Sequence, residues 1–145
     1  MTRQTALLGV AAAVLSLAAT AEAAPGIPVR IRVIKGSRQG PPAVDPRLAD
    51  LHPQLSRLAY TRWDEVGEQH ADMDFKKPVV VALPSGERLE IEVIESRRDT
   101  VTIEVRAPAS RTSSRLTLSK DKRLVQQVTP EKAGEAYFVT VRPWP

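Results

Sequence analysis

Residues 89–105 read LEIEVIESRRDTVTIEV, and this stretch decides the fold. Leu89, Ile91 and Val93 alternate with Glu90 and Glu92, and Val101, Ile103 and Val105 alternate with Thr102 and Glu104. A period of two is the pattern of a strand with one dry face and one wet face. The polar segment Glu95 to Asp99 separates the two runs, so they predict a β-hairpin with its tip at Arg97 and Arg98. Both apolar sets reach the same face only if the residues between Val93 and Val101 are odd in number, and they are. A slip of one residue would instead bury Glu90 and Glu104.

Upstream, Val79-Val80-Val81-Ala82-Leu83 reads as a buried strand, and Pro84-Ser85-Gly86 supplies a turn leading straight back into the hairpin. Nearer the N-terminus, Val29, Ile31 and Val33 alternate with Arg30 and Arg32 and predict the first strand. Gly36 to Pro42 holds two glycines and two prolines and reads as a loop. Asp45-Pro46 then opens a helix: Asp can cap free amide groups, and Pro at the first helical position sacrifices no hydrogen bond. Leu48, Leu51, Leu55 and Leu58 follow at helical spacing, with Pro53 predicting a kink or a restart. From Tyr60 the pattern returns to strand, clearest where Glu68, His70, Asp72 and Asp74 alternate with Gln69, Ala71, Met73 and Phe75.

Downstream, Leu116 with Leu118, Leu124 with Val125 and Val128, and Phe138 with Val139 and Val141 give three weaker strands. Short strands separated by polar turns predict a mainly β fold: an antiparallel β-sandwich or barrel-like meander of about seven to eight strands. One short, Pro53-interrupted helix follows the first strand. No internal repeat and no linker tract after residue 43 divides the chain, so residues 24–145 read as a single β-rich domain.

The N-terminus has a polar start with Arg3, an apolar run of 14 residues from Ala6 to Ala19, and the small-residue sequence Ala21-Glu22-Ala23. This is the pattern of a secretory signal peptide, 1–23, cut after Ala23. The competing reading, a membrane anchor, needs about 20 apolar residues. No later run approaches that length, which predicts an exported chain with no transmembrane segment after cleavage, in the periplasm or outside the cell.

Removal of residues 1–23 takes away Arg3 and Glu22 and leaves the net charge at +4, with basic and acidic residues interleaved. With few aromatic rings, that distribution is not a nucleic-acid footprint. The chain has no cysteine, so neither disulfides nor a lipid-modified cysteine can hold or anchor it. A chain of about 120 residues buries enough surface to fold on its apolar core alone.

The sharpest chemical constellation is Glu68, His70, Asp72 and Asp74, three carboxylates and an imidazole projecting from one strand face. Calcium would suit such oxygen donors. Alternate side chains on one strand stand about 7 Å apart, however, so the ladder reads first as a solvated face. The two histidines, His52 and His70, fall in different elements, and no His-Glu-x-x-His run is present. Ser85 lacks the Gly-x-Ser-x-Gly setting of a nucleophile turn and reads as a turn residue. No catalytic residue, metal or cofactor is assigned. Trp63, Trp144, Arg97 and Arg98 make the candidate binding surface, although rings in a small domain more often join the core.

The order of signal peptide, the Val29 to Ile34 strand, Val44-Asp45-Pro46 before a Leu-spaced helix, and a later meander carrying Leu83-Pro84-Ser85-Gly86 resembles small exported proteins of Gram-negative bacteria. That resemblance implies a compartment and a β-rich fold and carries over no functional residue. The expected function is therefore a non-enzymatic binding or assembly module of the cell envelope, with an envelope protein or polymer as partner and a sheet edge as the point of contact. The alternatives are a small periplasmic hydrolase using carboxylates such as Glu68, Asp72, Glu90 or Glu92, and a carbohydrate- or polyanion-binding domain.

Overall fold

The computed structural model describes residues 26–75, 77–119 and 122–143. The proposed signal peptide and Trp144 lie outside them. The described residues form two sheets. The five-stranded sheet has the order β2-β3-β1-β9-β8 and the four-stranded sheet the order β4-β5-β6-β7. The strands are β1 (Ile27–Ser37), β2 (Ala43–Val44), β3 (Arg62–Met73), β4 (Val79–Ala82), β5 (Arg88–Ser96), β6 (Val101–Ala107), β7 (Thr112–Leu118), β8 (Gln126–Gln127) and β9 (Glu135–Pro143).

The 89–105 hairpin forms as its alternation requires. Ile91 opposes Val105 and Val93 opposes Ile103, with Leu89 also on the dry face. Just past Val93 the register shifts around Ile94, where the strand leaves the core for the Arg97-Arg98 tip. Facing this hairpin are Val29, Ile31 and Val33 of β1 and Val139 and Val141 of β9, and these residues fill the space between the sheets. All are almost completely buried.

β1 is longer than its alternation indicates. Pairing with both β3 and β9 carries it through Ile34 and Gly36 to Ser37, into the stretch expected to be loop. Gly36 permits this because a Cβ there would stand only 2.8 Å from the Trp63 ring and 3.1 Å from Phe138. A side chain at that position would displace the two rings that cross the strand.

A second core lies on the outer face of the five-stranded sheet. Ile34, Trp63, Ala136 and Phe138 share that face and are covered by Leu48, Leu51 and Leu55. The covering segment is the expected helix in two parts, a 3-10 turn Pro46–Leu51 and an α-helical turn α1 (His52–Leu55), with the change falling at Pro53's neighbour His52. Asp45 caps the start, accepting from the Arg47 amide. Tyr60, Trp63 and Phe138 pack edge to face, with ring centroids 5.0 to 5.8 Å apart. Edge-to-face contact suits the ring quadrupoles and adds to the area they bury.

The weakest strand signal shrinks furthest. Of the Leu124 to Val128 run only Gln126 and Gln127 form a strand, against Val139 and Phe138, with the Val128 amide donating once more to the Tyr137 carbonyl at 2.9 Å. A loop from Thr129 to Gly134 returns to β9, with Ala133 and Gly134 both at positive φ.

Candidate interaction surfaces

Both sheets end in strands with no neighbour on their outer side among the described residues, and the chemistry of those edges differs. β2 covers only Arg62 and Trp63 of β3, so the rest of β3 is an edge. A register shift around Val66 and the acids Glu68 and Asp72 break that edge up. β7 places Ser113, Arg115 and Thr117 outward, and Thr112 Oγ1 donates to the Val128 carbonyl at 3.1 Å, tying its start to the other sheet. Bulges, charges and short strands are the means by which sheet edges are kept from pairing with other chains.

β4, expected from its sequence to be buried, is instead an edge; it is only four residues long but carries neither charge nor bulge. It reads Val-Val-Val-Ala. Val80 on its outer face is 51% exposed, and Phe75 in the preceding connection is 55% exposed. The Leu83 amide donates to the Glu87 carbonyl at 2.8 Å and the Gly86 amide to the Leu83 carbonyl at 2.9 Å, closing the turn expected from Pro84-Ser85-Gly86 with Gly86 at φ +93°. Leu83 therefore turns its backbone groups toward β5. By the alternation of antiparallel ladders Val81 and Val79 do the same, which leaves the N–H and C=O groups of Val80 and Ala82 on the open edge. Pro78 and Pro84 bound this stretch and offer no N–H on either side.

Glu68, His70 and Asp72 project together from the outer face of β3, as the alternation indicates, while Asp74 lies beyond the end of the strand. Arg30 on the neighbouring strand donates to Glu68 at 2.6 Å, and His70 Nε2 stands 3.4 Å from the same carboxylate. The Arg30 hydrogen bond holds the Glu68 carboxyl below its ordinary pKa, with His70 adding in the same direction. No group of three His, Asp or Glu side chains among the described residues is placed to hold a metal ion.

The proposed binding-surface residues separate. Trp63 is 2% exposed, a member of the outer core against Tyr60 and Phe138, and presents no ring face to a ligand. Arg97 and Arg98 are exposed at the β5–β6 tip. They line a cleft of about 570 Å³ at one end of the sandwich, with Ile27, Leu118 and Pro143 as its apolar wall. Arg97 is held by Glu95, and Asp99 joins the rim, so its charge is mixed. Trp144 follows Pro143 directly in sequence.

Two charge clusters escape a reading of the sequence alone. Arg32, 4% exposed, donates to Glu65 at 2.7 Å, to Asp50 at 2.8 Å and to the Arg47 carbonyl at 2.6 Å. Arg123 reaches Asp50 from the far side at 2.6 Å. Burial works against the Arg32 charge, and the hydrogen bonds to Asp50 and Glu65 outweigh it, leaving its pKa raised. Asp45 completes the knot, accepting from the amides of Arg47 and Glu65 and from the Arg47 side chain. The second cluster lies on the outer face of the four-stranded sheet. Glu92 and Glu104 oppose each other directly, and Arg106 lies within 3.5 Å of both and of Glu90. Glu90 and Glu92 thus face away from Glu68 and Asp72, which belong to the opposite outer face of the sandwich. Ser85 stays a turn residue, its Oγ 3.4 Å from the Glu87 amide, and His52 is exposed on α1.

No protein-family model, curated protein or solved structure matches the chain. A β-sandwich whose second core is capped by a helical segment is the class its geometry defines.

Proposed function

We propose that the chain acts outside the cytoplasm as a non-enzymatic binding or assembly module of the cell envelope, which engages an envelope protein by adding a strand to an open sheet edge. The observation that carries this reading is β4: an uncharged, unbulged edge strand with a half-exposed valine, in a fold whose other edges carry charge, a bulge or only two residues. Main-chain hydrogen bonds would supply affinity there, and outward side chains would supply selectivity. The N-terminal pattern of residues 1–23 supports the compartment.

The test is capture from envelope extract on immobilised protein, run in parallel with the variants Val80→Lys and Thr117→Lys. A partner retained by the parent chain and by Thr117→Lys but lost with Val80→Lys is the expected result. No envelope protein held by the parent chain, or one held equally by Val80→Lys, overturns the reading.

A further inference from the structure

We propose that β4 pairs with β4 of a second copy of this chain, antiparallel and about a two-fold axis through Val81, fusing two four-stranded sheets into one of eight strands. The inference rests on the strand-accepting reading above and names the partner.

Three features of the edge bear on this occupant: its side-chain parity and hydrogen bonds admit a second copy, and charge selects the register. The first is which side chains can face each other. Opposed residues in an antiparallel pair lie on the same face, and in β4 Val80 and Ala82 point outward while Val81 points into the core. A two-fold axis must therefore pass through a residue, because an axis between Val80 and Val81 would set an outward side chain beside an inward one.

The second is hydrogen bonding. The open edge offers the N–H and C=O groups of Val80 and Ala82. With the axis at Val81, Val80 of each copy opposes Ala82 of the other, and all four donors meet all four acceptors. Pro78 then opposes Pro84 of the second copy, and because neither has an N–H the pairing ends there. With the axis at Val80, Val80 would oppose Val80 of the second copy and Ala82 would oppose Pro78, which also gives four hydrogen bonds, so the hydrogen bonds admit both registers.

The third is charge. On the outer face Val80 is flanked by Glu90 of β5 and Ala82 by Arg88. The Val81 axis lines up Glu90, Val80, Ala82 of the second copy and Arg88 of the second copy in one row, opposite charges at either end of an apolar pair. The Val80 axis would put the two copies' Glu90 residues in the same row. Charge therefore selects the Val81 axis, which keeps the two Glu90 residues out of one row.

Sedimentation of the protein purified after export, over a hundredfold range of concentration, gives the first readout. A reversible rise from monomer to dimer mass is expected. Val80→Pro deletes an amide that only the second copy would use, and Val80→Lys sets two cations diagonally across the axis; each should keep the parent's circular dichroism and lose dimer at every concentration. Thr117→Lys on β7 should dimerise like the parent. Since the chain has no cysteine, Ala82→Cys, joined by a short bis-maleimide, should give one cross-linked dimer, while Thr117→Cys should not. Monomer mass throughout, or dimer mass that survives both Val80 variants, refutes the self-pairing. Monomer mass together with a captured envelope protein lost on Val80→Lys refutes self-pairing alone and leaves the strand-accepting reading standing. Dimer formation with no envelope protein captured supports self-pairing and removes the wider partner.

Discussion

Arg32 shows how one residue can change meaning between sequence and fold. On an alternating strand it reads as a wet-face cation, yet the segment from Pro46 to Leu55 covers it and sets it 2.7 Å from Glu65, a carboxylate as buried as itself, with Arg47 farther off at 4.0 Å. Replacing Arg32 with alanine should leave Glu65 charged and poorly paired in the interior, a change that typically costs about 3–5 kcal/mol. Asp50→Asn should cost much less, because Asp50 is partly exposed. Urea unfolding of the two variants checks the order; equal effects would mean that the cluster is not held through Arg32. The inward positions of the hairpin follow the same logic. Ile91→Ala or Ile103→Ala should lose about 2–5 kcal/mol through lost transfer energy and a cavity. Glu92→Ala should change stability little, since it removes one of two opposed carboxylates.

At the scale of elements, legibility followed how local the cause was. The 89–105 hairpin, the Pro84-Ser85-Gly86 turn and the Asp45-Pro46 helix start depend on neighbours within a few residues, and all three form as their patterns indicate. The extension of β1 through Gly36 depends on partners 27 and 100 residues away, and the reduction of Leu124 to Val128 to a two-residue strand depends on partners 11 to 13 residues away across a loop, neither of which alternation can register. Trp63 belongs to the same group: it reached the core because the register shift at Val66 turns odd-numbered residues of β3 to the outer face below the shift and even-numbered ones above it. Glu68, His70 and Asp72 keep their predicted common face for the same reason.

The docked helical segment also sets an acid limit. Hydrogen bonds from the Arg47 side chain and from the amides of Arg47 and Glu65 hold the Asp45 carboxyl well below its ordinary pKa. Burial raises that of Asp50, but Arg32 and Arg123 pull it below the ordinary value. Carboxyls lowered on folding contribute stability that is fully present above the unfolded-chain pKa of about 4 and is lost as pH falls through their folded values. Thermal unfolding should be nearly independent of pH between about 7 and 5 and should fall steeply below about 4. Asp45→Asn should flatten part of that fall. A variant with the parent's acid profile would show that this carboxyl is not coupled to folding.

For the whole molecule, the mainly β class and the helix after the first strand were readable because both rest on periodicity. The edges were not, since which strand ends a sheet is settled by pairing order. The proposed export carries its own check: N-terminal sequencing of protein from the envelope fraction should begin at or near Ala24, and a membrane-bound chain that retains residues 1–23 would contradict it. The central claim, that β4 is an open edge awaiting a strand, is tested most directly by residue-resolved amide hydrogen exchange, in dilute monomer and again with a strand-donating partner or at high protein concentration. In dilute monomer the Val80 and Ala82 amides should exchange fast while those of Val81 and Leu83 are protected, and occupation of the edge should protect Val80 and Ala82 selectively. Protection of all four amides in the dilute monomer, or none gained at Val80 and Ala82 when partner binds, would contradict the account.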